Sequence, residues 1–476
     1  MIRNFWEIEL VEPWVQSATG YIRNWIEFQL RASQQPGCIV AIAHRGKVVA
    51  EYAFGKANLS TGEKLTPRHR FRIASHSKSF TAAGIMKLRE QRKLRLDDAV
   101  GQYVKGLHPQ VAETTIAQVL SHSTGLTRDG ADSGQFTDSR PYLNQKELMA
   151  ELKLPPAIAP NTRFKYSNHG FGLLGLVIEA ITSEPYHVWI GREIVDAAGL
   201  RETGPNTPIR KSIPFARGHT LRLPVGRRLV IPGDNPANAI TPAGGFVSTA
   251  ADVARFFAQL APNAKHSVLS VGSRREMIRK QWRNPHATLE GYYGLGIMSG
   301  TLAGWDWFGH SGGFQGYISR TCVIPAADLS ITVLSNSADG WAGFWLDGIM
   351  HIWRAFAARG APTRRVLDWA GRWWSIWGTI DLVPMGNLVI VGNTNAFNPF
   401  MDATEIEVTG RDTGRISLAA GYASHGQAVR RTRNKAGAVT EIWLAGARLK
   451  HEKGLIAEME RKYAPRKRRP VSSSAG

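Results

Sequence analysis

Arg72-Ile73-Ala74-Ser75-His76-Ser77-Lys78-Ser79-Phe80-Thr81-Ala82-Ala83-Gly84-Ile85-Met86 is the stretch from which the rest of the chain can be read. The residues after Ser75 are helix-forming to about Gln91, with Phe80, Met86 and Leu88 as apolar positions. Positions three apart share a helix face, so Lys78 lies about one turn from Ser75. A serine hydroxyl is a poor nucleophile until a neighbour accepts its proton. A desolvated lysine can do that, or can lower the pKa of another base. The helix N-terminus beneath Ser75 also favours developing negative charge. Average Ser and Lys usage gives on the order of one or two Ser-x-x-Lys matches by chance in a chain this long. This is the only one, and it falls at a predicted strand-to-helix entry.

Two more short motifs lie downstream. Tyr166-Ser167-Asn168 precedes His169-Gly170-Phe171-Gly172 and the apolar run Leu173 to Ile181. It ends an irregular segment, where a side chain can point into a cleft. The same pattern recurs at Tyr142-Leu143-Asn144. There, Asn144 with Glu147 reads as a capping box opening a helix at Gln145, a structural role. His310-Ser311-Gly312-Gly313 follows Trp305 to Phe308 and precedes a β-like run at Tyr317. Small residues after the histidine let a substrate approach the backbone. The other His-x-Gly, at His44-Arg45-Gly46, lies between β-rich runs at Cys38 to Ala43 and Lys47 to Phe54, and reads as a hairpin turn.

Around these motifs, Gln16 to Ala32 has helical spacing at Ile22, Ile26 and Leu30. Residues 96 to 240 are helical and loop-rich, and Thr249 to Leu260 reads as an amphipathic helix with Asp252 in its first turn. The pattern is β-rich again from Tyr292 to Ser335, and Trp341 to Ala358 closes with a helix. Strands at both ends with helices between predict an α+β domain over residues 1–360, an antiparallel sheet flanked by helices with an insertion at about 96–240. Six successive alternating runs after Pro362, at Thr379 to Leu382, Asn387 to Val391, Glu405 to Val408, Arg415 to Ala419, Val429 to Arg433 and Val439 to Leu444, predict an antiparallel β-barrel over 366–462.

The 476 residues carry a formal net charge of +21, are 43% hydrophobic and include fifteen Trp. Their length suggests two to four domains. The basic residues are spread out and no nucleic-acid module is visible, so no nucleic-acid partner is expected. The one dense run, Arg461 to Arg469, lies in a Pro- and Ser-containing tail, 463–476, expected to be disordered. Cys38 and Cys322 form no Cys-x-x-Cys pair and read as buried structural thiols. Glu7, Glu9 and Glu12 break the apolar stretch Met1 to Val15, so a signal peptide is not expected. No run is long enough for a transmembrane helix. The default compartment is the cytoplasm, with the periplasm as the alternative.

Taken in order, the three motifs resemble the β-lactamase and penicillin-binding family, in the branch of class C β-lactamases, DD-peptidases, D-aminopeptidases and family VIII esterases. Thr115 to Leu126 and Pro242 to Asp252 share that resemblance, which covers about residues 17–360. The C-terminal β-rich part resembles the lipocalin-like domain of some members. The resemblance implies Ser75 as acylated nucleophile, Lys78 as its proton partner and Tyr166 as general base. It also implies Asn168 and His310 as substrate contacts, with an oxyanion hole at the backbone N–H groups of Ser75 and Gly313 beside Gly312. No cofactor or metal is implied; the partner is a small-molecule or peptide substrate. A phenol with a reference pKa of ~10 is only ~0.1% ionised at pH 7, so Lys78, as an ammonium, would have to offset about 4 kcal/mol. Many members carry lysine where this chain has His310. A largely neutral imidazole offers a carboxylate no fixed charge, which favours esters, amides or D-amino peptides over β-lactams.

Two other readings compete. Gly309 to Gly313 also fits Gly-x-Ser-x-Gly, the nucleophile elbow of α/β-hydrolases, with Ser311 as nucleophile and Asp347 and His351 following in order. That elbow demands strand, turn, then helix. The other reading is a catalytically weak penicillin-binding or scaffold protein. The sequence assigns neither the exact substrate nor an oligomeric state.

Overall fold

Gly37–His44 is buried at every residue, and so is Leu329–Ser335. Continuous apolar runs of this kind belong in the middle of a covered sheet, and the two strands pair there antiparallel, Cys38 opposite Ser335 and His44 opposite Leu329. The computed structural model that shows this describes residues 12–205, 213–223, 226–233, 235–285, 290–420 and 424–463. Most of Met1 to Val15 and all of the expected basic tail after Tyr463 lie outside the described residues.

Strands β1 (Gly37–His44), β2 (Lys47–Asn58) and β3 (Glu63–Lys64) precede a small sheet. That sheet is made of β4 (Phe71–Arg72), β5 (Gly204–Pro205) and β6 (Phe246–Ser248), in the order β4-β6-β5. Six strands follow: β7 (Trp282–Arg283), β8 (Gly291–Tyr293), β9 (Met298–Leu302), β10 (Trp305–Phe314), β11 (Tyr317–Ile324) and β12 (Leu329–Ser335). The main sheet has nine strands in the order β3-β2-β1-β12-β11-β10-β9-β8-β7. Arg45 and Gly46 both take positive φ, as a two-residue hairpin turn between β1 and β2 requires.

The helix α1 (Pro13–Ser33) precedes the sheet, and α2 (Ser77–Glu90) follows Ser75. Along α2 all but three residues are buried, and Phe80 stacks between Phe256 at 3.8 Å and Phe246 at 4.7 Å. The Ala250–Gln259 helix starts at a Thr249 cap that accepts from Asp252 N–H, and the Gln145–Leu152 helix starts at the Asn144–Glu147 capping box.

The described chain gathers into two compact units, residues 30–347 in one and residues up to 29 with those from 348 onward in the other. The sequence pattern instead changes near residue 360. The difference arises in α1, whose Trp25 packs so closely on Gly348 that a Cβ there would lie 2.2 Å from the indole. In the second unit eight strands close an antiparallel barrel. They are β13 (Gly371–Ser375), β14 (Gly378–Met385), β15 (Leu388–Asn393), β16 (Thr404–Val408), β17 (Thr413–Leu418), β18 (Ala428–Arg433), β19 (Val439–Leu444) and β20 (Ala447–Lys450). The sequence signals six of these. The two it misses, β13 and β20, are short, and their single pairing, Trp374 with Lys450, closes the barrel. Trp369, Trp373, Val389 and Ile406 fill the interior with Val429 and Ile442. The Arg431 guanidinium lies over the Trp369 ring at 4.3 Å and donates to Asp368. The residues expected to begin the basic run, Arg461 to Tyr463, are helical, in Glu452–Tyr463. Among the described residues no helix is long and apolar enough to cross a membrane.

Phe80→Ala should destabilise the first unit by about 3–5 kcal/mol, the usual cost of deleting a stacked core ring. Urea unfolding followed by tryptophan fluorescence checks this.

Candidate active site

The turn that carries Ser75 is held in a strained conformation. Ala74 has φ of +50°, a region that costs a non-glycine residue about 1–2 kcal/mol. Its neighbours over-determine it. Ile73 N–H donates to Phe246 O at 3.0 Å. Ser77 Oγ donates to Ala74 O at 2.6 Å and accepts from Phe246 N–H at 3.0 Å. The buried His76 ring spans Ile73 O and Thr321 Oγ1 at 3.0 and 2.9 Å, and burial pushes its pKa down to about 3, so it is a neutral strut. Strand β10 lies directly against this turn. A Cβ on Gly312 would fall 2.4 Å from Ile73 O and 2.5 Å from Ser319 Oγ, so only glycine fits there. On Gly313 a Cβ would meet nothing nearer than Ile318 Cδ1 at 3.6 Å, and Gly313 borders the cleft.

Two side chains converge on Ser75. Lys78 Nζ lies 3.2 Å from Ser75 Oγ, and Tyr166 O–H donates to the same oxygen at 2.9 Å. Lys78 also donates to Asn168 Oδ1 at 2.7 Å and to Ala243 O at 2.8 Å. Ser167 caps the Asn168–Thr182 helix by accepting from Gly170 N–H, which sets Asn168 in the first turn and leaves Tyr166 on the extended approach. Lys78 is fully buried, and burial drives its pKa well below the ordinary lysine value, against the pull of Asp129. Burial likewise raises the Tyr166 phenol. Burial thus pushes both groups toward their uncharged forms, the amine and the phenol. That direction runs against the ammonium the resemblance implies at Lys78, because an apolar surround penalises both charged forms. Lys78 Nζ has three oxygen partners, Ser75 Oγ, Asn168 Oδ1 and Ala243 O.

His310 is engaged differently from expectation. Ser167 N–H donates to His122 Nδ1 at 3.1 Å, which leaves the other His122 nitrogen, Nε2, as the donor to Tyr293 Oη at 3.2 Å. Tyr293 O–H then donates to His310 Nε2 at 3.0 Å, and His310 Nδ1–H to Ser311 O at 2.7 Å. Each bond fixes the direction of the next, and burial holds both histidines neutral. His310 borders the cleft, but neither of its nitrogens is left for a substrate. His122 also lies against the Tyr166 ring, with centroids 4.1 Å apart.

Ser311 is no elbow. It sits inside β10, opposite Arg320 on β11, with its Oγ 3.6 Å from Met298 Sδ. An extended antiparallel strand offers neither the sharp turn nor the following helix, so the α/β-hydrolase reading is overturned. The sequence reading also misses Asp129, which accepts from Asn168 Nδ2 at 2.6 Å, and Tyr293. Both act across long sequence separations, so no local pattern marks them. His122 and Ala243 lie within stretches quoted above for their resemblance.

A cleft of about 460 Å³ opens over Ser75 between Phe164, Tyr166 and Tyr293 on one part of its wall and Trp282, Met298 and Trp307 on another. A serine, a lysine and a tyrosine gathered at the start of a buried helix, faced by a strand of a mixed α+β domain, define the penicillin-recognising class of fold. The chain belongs to the Beta-lactamase family, which it matches over residues 22–344.

Protein flp of Staphylococcus aureus (strain COL) is 26% identical over 321 residues, which cover 65% of this chain and 61% of that protein. The chain thus spans less than two thirds of that relative. Among solved structures, the octameric penicillin-binding protein homologue from Pyrococcus abyssi has a TM-score of 0.64 at 22% identity, over 90% of this chain and 99% of that one. The D-amino acid amidase from Ochrobactrum anthropi SV3, complexed with L-phenylalanine amide, has a TM-score of 0.62 at 21% identity, over 72% and 99%. These two likenesses are likenesses of fold.

Gly312→Ala should lower stability by about 1–3 kcal/mol, because its methyl must displace the turn before Ser75. Gly313→Ala should leave the melting temperature nearly unchanged. Differential scanning calorimetry of the two variants distinguishes them.

Proposed function

We propose that the protein is a serine hydrolase that forms an acyl-enzyme on Ser75 from an ester, an amide or a D-amino peptide. The observation that carries this is the approach of the buried Lys78 Nζ and the Tyr166 hydroxyl to Ser75 Oγ, at 3.2 and 2.9 Å. In this reading Lys78 acts as the free amine, the form toward which burial pushes it. Lys78 takes the Ser75 proton as Oγ attacks the substrate carbonyl. The backbone N–H groups of Ser75 and Gly313 stabilise the oxyanion. Tyr166, whose O–H points at Ser75 Oγ, gives its proton to the leaving atom and regains one from Lys78. Water then releases the acyl group by the reverse sequence. Asn168 holds Lys78 and is itself held by Asp129. This order gives the base role to Lys78 and the acid role to Tyr166, the reverse of what the resemblance implies, since burial disfavours a phenolate. The amidase likeness supports amide substrates among the candidates. No observation favours a non-catalytic scaffold.

Ser75→Ala should abolish hydrolysis of p-nitrophenyl esters and D-alanyl anilides while the protein stays folded. Tyr166→Phe should lower kcat by about 10²-fold or more, the usual scale for an acid–base group. Tyr142→Phe should change little, because the Tyr142 hydroxyl is buried without a hydrogen-bond partner. Turnover by well-folded Ser75→Ala, or a crippled Tyr142→Phe, overturns the assignment.

The acid limb of kcat/KM should report Lys78. The active form is the free amine, so activity is complete above its folded pKa and is lost as pH falls through it. Asp129 raises that pKa, so Asp129→Asn should move the limb to lower pH. Linkage has the same sign. Between the depressed folded value and the unfolded value of ~10.4, the unfolded chain binds more protons, so this group's contribution to stability rises with pH. A pH–rate profile of both proteins tests the shift.

A further inference from the structure

Four charged side chains border the cleft over Ser75: Arg128, Glu290, Arg320 and Asp347. Two are already committed. Arg128 pairs with Asp129 at 3.1 Å, and Glu290 accepts from the Tyr292 hydroxyl. The other two form no ion pair among the described residues. Arg320 lies within hydrogen-bonding reach of the Cys322 thiol, but its Nε is buried with no hydrogen-bond partner. Asp347 is partly buried, and burial raises its carboxyl pKa while Arg320 pulls it down. The two are close enough to feel each other, yet among the described residues neither has an ion-pair partner within 4 Å.

Their placement follows from the pleat of β10. Residues directly opposite in an antiparallel pair share a face, so Arg320 lies beside Ser311. Alternation puts Trp307 on that face too, where its ring carries the Arg320 guanidinium at 4.4 Å. His310 and Gly312 point to the other face, toward His76 and the Ser75 turn. Strand β9 pairs with β10 only as far as Gly309, so from His310 onward that edge of β10 has no β9 partner. A substrate lying along this edge reaches Ser75 on one face and the Arg320–Asp347 pair on the other.

We infer that Arg320 and Asp347 form a subsite for a dipolar group, the adjacent ammonium and carboxylate of an amino acid. A lone carboxylate there would meet Asp347, and a lone ammonium would meet Arg320. A zwitterion satisfies both, and each desolvated charge gains a charge-assisted hydrogen bond. An amino acid with both main-chain charges free is joined to the scissile bond through its side chain. This rests on the serine-hydrolase reading and narrows its substrate class to side-chain-linked acyl amino acids, such as γ-glutamyl amides. The side-chain acyl carbon passes to Ser75 Oγ, the protonated amine leaves, and water releases the free amino acid.

The test is binding, which does not depend on turnover. The Ser75→Ala protein is titrated calorimetrically with glutamine of either hand, with glutaramate, which lacks the ammonium, and with 4-aminobutanamide, which lacks the carboxylate. Glutamine of at least one hand should bind about tenfold or more tighter than either singly charged analogue, the scale of one charge-assisted hydrogen bond. Adding Asp347→Asn should erase the preference over glutaramate, and adding Arg320→Met the preference over 4-aminobutanamide. Equal affinities for the three ligands, or preferences that survive both substitutions, overturn the subsite. The comparison of three ligands on unaltered Arg320 and Asp347 needs no further variant to fold. Ser75-dependent turnover of simple esters is read separately, so a failed hydrolase assignment and a failed subsite give different results.

Discussion

A lysine buried to zero exposure with only neutral hydrogen-bond partners is the constraint around which the first unit is organised. Holding a charged ammonium there costs several kcal/mol, so burial pushes Lys78 toward the free amine, the form the proposed mechanism uses as base. Asn168 Oδ1 and Ala243 O fix the position of Nζ beside Ser75 Oγ. Asp129 is kept one residue removed, bonded to Asn168 and not to the lysine, and pulls the lysine pKa the other way.

The same logic extends to the strand that faces the serine. Strand β10 approaches the strained Ala74 turn so closely that only Gly312 fits, and the neutral His76 locks the turn to β11 from below. The directed bonds from His122 through Tyr293 to His310 make the other wall rigid and uncharged. A neutral, pre-set surround makes each dipole and lone pair count for more than it would in water. The barrel unit has its own core and its own buried arginine, Arg431 on Trp369.

Much of this was legible locally. The β-rich run at Cys38 to Ala43, the hairpin turn at Arg45-Gly46, the cap at Asn144 and the amphipathic helix after Thr249 each rest on contacts within a few residues. The structure reproduces all four. Elements that depend on distant partners were not legible. The closing strands β13 and β20 are too short to show alternation and exist because the barrel closes. Asp129 and Tyr293 carry no motif, because their partners lie 39 and 17 residues away. Ser311 fitted a nucleophile pattern that its place inside a strand excludes.

By itself the sequence determined that a serine and a lysine share one turn at the start of a helix, that a tyrosine and an asparagine precede another helix, and that an antiparallel sheet with a helical insertion surrounds them. Spacing and periodicity fix such things, because backbone geometry converts them directly into shared faces. Only the tertiary structure decided the direction in which burial pushes Lys78 and Tyr166, the engagement of both His310 nitrogens and the placing of Arg320 and Asp347 on one cleft. These depend on how much water is excluded and on which groups arrive from elsewhere in the chain. Desolvation and hydrogen-bond direction are properties of the packed site, and no short stretch of sequence encodes them.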